Sequence, residues 1–110
     1  MIGSAHPGLP ANYRWLVLTI LRAHLPDGAE AWVFGSRATS RAHRYSDLDL
    51  AIDAGRSLTL DERARLAEAF CDSDLPYRVD LVDWHGIDDR FRKLIANQRI
   101  GLFEAERVEG

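Results

Sequence analysis

Residues 47–53 read Asp-Leu-Asp-Leu-Ala-Ile-Asp, and this alternation is the tightest constraint in the chain. Leu48, Leu50 and Ile52 take every second place, with Asp47, Asp49, Ala51 and Asp53 between them. Side chains leave a strand on alternating sides, so the segment predicts a strand with one apolar and one acidic face. The apolar face must be covered by helices, while the acidic face needs water or a cation.

The neighbouring segments supply the cover. Tyr13, Leu16, Val17, Ile20 and Leu21 recur at helical spacing and predict a helix from the Pro10 turn to about His24, stopped by Pro26-Asp27-Gly28. Residues 29–34 form a strand halted by Gly35, and residues 37–45 a basic loop. Thr59 and Glu62 fit a capping box. The helix they open has Leu60, Ala64, Ala67 and Cys71 along one stripe, with Leu66 and Phe70 beside it, and ends near residues 72–74. Residues 77–84 alternate as a further strand, with Val79 and Leu81 on one side and Asp80 and Val82 on the other. Asp88 can cap a last helix carrying Phe91, Leu94 and Ile95, and Gly101-Leu102-Phe103 predicts a short edge strand. The expected fold is α+β, a mixed β-sheet with packed helices in the order α-β-α-β-α-β. One domain spans 1–110, with 1–9 as an irregular lead-in and 104–110 as a charged tail.

Composition narrows the function classes. A chain of 110 residues with 46% apolar content supports one core. Its 14 basic and 17 acidic residues leave a net charge of −3, the wrong sign for bulk nucleic-acid binding. Cys71 stands alone, so no internal disulfide forms, and a reducing, cytoplasmic setting is expected. The strongly apolar run from Trp15 to Leu21 is far shorter than the ~20 residues of a membrane span, and the polar start does not resemble a signal peptide.

The chemistry concentrates in Phe34-Gly35-Ser36-Arg37-Ala38 and Ser46-Asp47-Leu48-Asp49-Leu50. A glycine directly after a strand lets the chain turn sharply and admits a phosphate without a Cβ in the way. Ser36 adds a hydroxyl donor, and Arg37 is the first choice for a phosphate contact, ahead of Arg41 and Arg44. Asp47 and Asp49, at i and i+2, leave the strand on one side with Cα atoms about 6.5–7 Å apart. Two unit charges at 4 Å interact by roughly 4 kcal/mol at an effective dielectric of 20, so clustered carboxylates call for a cation. Two Mg²⁺ ions about 3.5–4 Å apart are the usual solution for in-line phosphoryl transfer, with Mn²⁺ as a substitute.

Gly35-Ser36 and Asp47-Leu48-Asp49 are separated by the ten residues from Arg37 to Ser46. This spacing resembles the minimal nucleotidyltransferases of the DNA polymerase beta superfamily, whose motif is Gly-Ser, ten residues, then Asp-x-Asp. The family's third carboxylate lies on a later strand, which residues 77–83, with Asp80 among them, resemble. The resemblance implies a polymerase beta-like nucleotidyltransferase fold in which Asp47 and Asp49 bind both metals. It implies that Asp80 binds the metal at the acceptor and helps deprotonate its hydroxyl, while Gly35, Ser36 and Arg37 bind the nucleotide. It further implies an antitoxin that moves AMP from ATP onto a tyrosine of a partner HEPN toxin. A non-catalytic binding antitoxin, and an enzyme acting on a small molecule or RNA end, are the alternatives.

Other residues carry blander expectations. Asp53 and Asp83 fall outside the metal shell, Asp83 by its parity relative to Asp80. Trp32, Phe34 and Trp84 pack in the core rather than stack a base, and His43 and His85 are solvated. Cys71 is expected as a small buried hydrophobe.

Overall fold

The computed structural model describes residues 9–35 and 47–102. Helix α1 (Ala11–His24) follows Pro10, which stands just outside the first turn and accepts the Tyr13 and Arg14 N–H groups at 3.1 and 2.9 Å. A turn at Gly28 leads into strand β1 (Glu30–Phe34), which is followed by β2 (Leu48–Asp53). Helix α2 (Leu60–Cys71), strand β3 (Val79–Asp83), a 3-10 turn at Trp84–Gly86, helix α3 (Asp89–Gln98) and strand β4 (Ile100–Gly101) complete the order. Residues 36–46, between β1 and β2, lie outside the described residues. The short final strand lies one residue earlier than expected, and Phe103 is outside the described residues.

The sheet is mixed, in the order β3-β2-β1-β4. Strand β1 pairs antiparallel with β2 and β4, whereas β2 and β3 run parallel. A parallel pair cannot be joined by a hairpin, and α2 is the crossover that returns the chain to the same end. Its start is held by the expected capping box: Glu62 N–H donates to Thr59 Oγ1 at 3.0 Å and Thr59 N–H to Glu62 Oε1 at 2.9 Å. Arg56 adds a two-pronged contact to the Glu62 carboxylate at 2.8 and 2.7 Å. Asp88 caps α3 by accepting the Phe91 N–H at 2.9 Å.

Each face of the sheet has its own core. Val33, Leu48, Leu50, Ile52 and Leu81 pack with Val17, Leu18 and Leu21 of α1 and Leu66 and Phe70 of α2. On the other face Trp32, Phe34 and Ala51 pack with Ile95 of α3, and Val82, Trp84 and Phe91 lie against them. The strand parity read for 47–53 therefore holds, but its second face is acidic only where α3 does not reach: Ala51 is fully buried. Burying one such aliphatic side chain is worth about 1.5–3 kcal/mol. Trimming the fully buried Leu50 to alanine would cost about 2–5 kcal/mol.

Two details of the buried helix faces differ from expectation. On α1 the buried set is Val17, Leu18 and Leu21, with Leu18 in the place expected of Leu16. On α2 the stripe of Leu60, Ala64, Ala67 and Cys71 is not the buried one, since Leu60 is 87% exposed and Cys71 is exposed. The helix is turned by one residue so that Leu66 and Phe70 enter the core, and these two bury far more apolar area than Ala64 and Ala67 could. Among the described residues, no helix is long and apolar enough to cross a membrane.

Candidate active site

Strand β1 ends where β2 and β3 begin, so one end of the sheet gathers the Gly35 turn and the starts of both acidic strands. Residues paired across a sheet point to the same side, and here Phe34 pairs with Asp49 and Asp49 with Asp80. Asp49 is half-buried between them, whereas Asp80 and Asp47 are exposed. Asp47 stands just ahead of β2, two residues from Asp49 and hence on the same side. The sheet thus brings the three predicted carboxylates to one edge of the α3-covered face.

The charge cost of this arrangement falls on Asp49. Burial, then the Asp80 charge, then the Asp47 charge push its pKa up from 3.8 to about 6. Among the described residues no three His, Cys, Asp or Glu side chains are drawn into a closed metal shell. The like charges of Asp47, Asp49 and Asp80 repel one another, which adds to the effect of burial on the Asp49 carboxyl. The donor set is oxygen only, negatively charged and open to solvent on two of its three members, which fits a hard ion such as Mg²⁺ that keeps part of its water.

Gly35 has φ +76°, a conformation that L side chains rarely adopt. A Cβ built there would collide with Asp49 Oδ2 and lie 3.3 Å from its Cγ. The glycine is therefore required twice, by the turn and by the carboxylate against its Cα. Its N–H donates to Oε1 of Gln98, at the end of α3, at 3.0 Å. That amide is thus committed to a contact within the protein. Ser36 and Arg37, together with Arg41, His43 and Arg44, lie outside the described residues.

Two further acids, Asp83 and Asp53, make structural contacts. Asp83 is 9% exposed and accepts the Leu58 N–H at 2.8 Å and the His85 N–H at 3.1 Å, pinning the entry to α2 onto the end of β3. Asp53 accepts the Gly55 N–H at 2.8 Å and faces His85 Nε2 at 2.7 Å, so His85 is paired rather than merely solvated. Trp32 and Trp84 pack with centroids 5.1 Å apart, and Phe34 meets Phe91 edge-on at 6.0 Å. All four lie in the second core, as expected for Trp32, Phe34 and Trp84. Gln98 was invisible to sequence reasoning: 63 positions separate it from Gly35, and no local pattern joins them.

Known proteins resemble the chain over most of its length. Residues 19–108 match the family model described as polymerase beta, nucleotidyltransferase. The chain is 46% identical over 93 residues to the Haemophilus influenzae protein named "Probable protein adenylyltransferase MntA", covering 84% of this chain and 81% of that one. Among solved structures, a toxin-antitoxin crystallised with AMP-PNP superposes with a TM-score of 0.71 at 29% identity, covering 81% of this chain and 71% of that one. A complex of a tri-AMPylated Shewanella oneidensis HEPN toxin with its MNT antitoxin gives 0.64 at 26% identity, covering 81% and 67%. The chain belongs to the polymerase beta nucleotidyltransferase family, as one of its minimal members.

Proposed function

We propose that this protein is an antitoxin that moves AMP from ATP onto a tyrosine hydroxyl of a partner HEPN toxin, with two Mg²⁺ ions held by Asp47, Asp49 and Asp80. The observation that carries the reading is the pairing of Asp49 with Asp80 on adjacent strands beside the Gly35 turn. The similar proteins support the acceptor, since one is named as a protein adenylyltransferase and another was crystallised with an AMPylated HEPN toxin.

In this reading the Gly35 turn, with Ser36 and Arg37 after it, seats the triphosphate. Asp49 and Asp47 face the α-phosphate, and Asp80, exposed at the start of β3, faces the incoming hydroxyl and takes up its proton. The acceptor oxygen bonds to the α-phosphorus as the bond to the bridging oxygen breaks, and pyrophosphate leaves. Bound metal would neutralise the charge that builds on the attacking and leaving oxygens. The protein's own contribution is positioning: both acidic strands belong to one sheet, so their spacing is set before substrate arrives.

The test is to incubate the purified chain with α-labelled ATP, Mg²⁺ and its partner toxin. Label on the partner, lost in Asp47→Ala and Asp49→Ala, supports the reading. Neutralisation of the toxin by those variants as well as by wild type, without label transfer, would replace it with inhibition by contact alone.

A further inference from the structure

We propose that Gln98 is a nucleotide-site residue with two tasks: its Oε1 holds the Gly35 turn in place, and its Nε2 donates to phosphate oxygens of the nucleotide. The inference rests on the nucleotidyltransferase reading of the site and assigns a residue that no motif in the sequence marks. A backbone N–H can only donate, so the amide atom facing Gly35 N at 3.0 Å is the oxygen, and the orientation of the side chain follows. The Nε2 group then carries two donors, and it has no hydrogen-bond partner among the described residues. It shares a carbon with Oε1, which places it beside the same turn that Asp49 packs against.

The chemistry of the position favours an amide. A lysine here would be drawn to Asp49, and a glutamate would add a fourth negative charge to the cluster. Glutamine offers donors to an anion without disturbing the charge that the carboxylates present to a metal. The mount is also rigid. Gln98 is half-buried, Ile95 one turn earlier is fully buried, and the Arg99 N–H closes the helix on the Ile95 carbonyl at 2.8 Å. A donor on a helix anchored in the core loses little freedom when it meets its ligand.

Two variants separate the tasks. Gln98→Glu keeps an acceptor for Gly35 N–H and loses the donors; Gln98→Met loses both without adding charge. Binding is measured with an ATP analogue whose α–β linkage cannot be cleaved, and turnover with ATP and the partner toxin. Both variants are expected to melt within about 2 °C of wild type and to weaken analogue binding at least about tenfold. Gln98→Met is expected to lower kcat as well, because its turn is no longer tethered, while Gln98→Glu retains kcat at saturating ATP. Analogue binding within about twofold of wild type in Gln98→Met overturns the donor role, even if Gln98→Glu binds weakly through repulsion. A fall in melting temperature with unchanged binding and kcat overturns both tasks. If the wild type itself binds no analogue, the nucleotidyltransferase reading falls and this inference with it; a wild type that binds beside an indifferent Gln98→Met overturns the inference alone.

Discussion

The Cα of Gly35 lies so close to the Asp49 carboxylate that a β-carbon there would overlap Oδ2. The turn and the central acid of the site are thus one packed unit, and a side chain at Gly35 would have to move a carboxylate that Asp80 flanks from the other side. Gly35→Ala is expected to lower stability by about 1–2 kcal/mol from its positive φ alone. Displacement of Asp49 is expected to reduce AMP transfer at least about 100-fold, far more than the stability loss explains. Thermal melts alongside label-transfer assays check both.

Removing the Asp49 charge should trade function for stability. Without metal, Asp49→Asn removes a charge that burial penalises first and that Asp80 and Asp47 then repel, the causes that raise the carboxyl's pKa. Allowing for solvent screening, about 0.5–1 kcal/mol is expected, a rise of roughly 2–8 °C in Tm, with transfer abolished. In wild type, added Mg²⁺ or Mn²⁺ should raise Tm, and neither Asp49→Asn nor Asp47→Ala should show that response. Scanning calorimetry in chelator and in metal measures all three.

The same carboxyl sets a pH dependence. Its pKa is 3.8 when unfolded and about 6 when folded, so between these values the folded state binds more protons. The stabilisation this group provides is complete below about pH 4 and is lost as pH rises through 6. Metal-free wild type should therefore lose stability from pH 4.5 to 7 relative to Asp49→Asn. Glu62, whose pKa is lowered to about 2 chiefly by its Arg56 hydrogen bonds, works in the opposite sense: its contribution is present above 4.5 and lost as pH falls toward 2. Metal affinity should weaken below pH 6, where protons compete for Asp49. Urea titrations across this range, with and without Mg²⁺, read both effects.

Asp80 and Asp83 sit three residues apart and should fail in opposite ways. Asp83→Ala removes a buried acceptor of two backbone N–H groups and is expected to cost about 2–4 kcal/mol, with nucleotide affinity near wild type. Asp80→Ala alters an exposed side chain and should change stability by less than about 0.5 kcal/mol, while reducing transfer at least about 100-fold. Urea denaturation and kinetics on the two variants separate these outcomes.

Cys71 is exposed at the end of α2 rather than packed in the core. A thiol reagent should label the folded protein without denaturant, and Cys71→Ser should leave Tm within about 2 °C.

Where pattern alone decides the outcome, the chain could be read directly. Strict alternation makes 48–53 a strand with Asp49 opposite Leu48 and Leu50, because a strand has only two sides. The capping pair Thr59 and Glu62 acts over three residues, and so does the Asp88 cap, so both starts are local facts. The ten-residue gap from Gly35-Ser36 to Asp47 and the placing of Asp80 make the family legible in the sequence.

Other features depend on what packs against what. Two stripes one residue apart compete for the buried side of α2, and only the volume left by β2 and β3 selects Leu66 and Phe70 over Leu60 and Cys71. The pairing of Asp49 with Asp80 requires a parallel register set by the α2 crossover, and the raised pKa of Asp49 requires its burial as well as its neighbours. The bond from Gly35 to Gln98 spans 63 positions and exists because α3 lies across the second face of the sheet. Local sequence determined which residues could carry charge and where chains would turn, through interactions a few residues long. Tertiary structure alone decided which of them meet, because contacts between distant segments depend on how the whole core is filled.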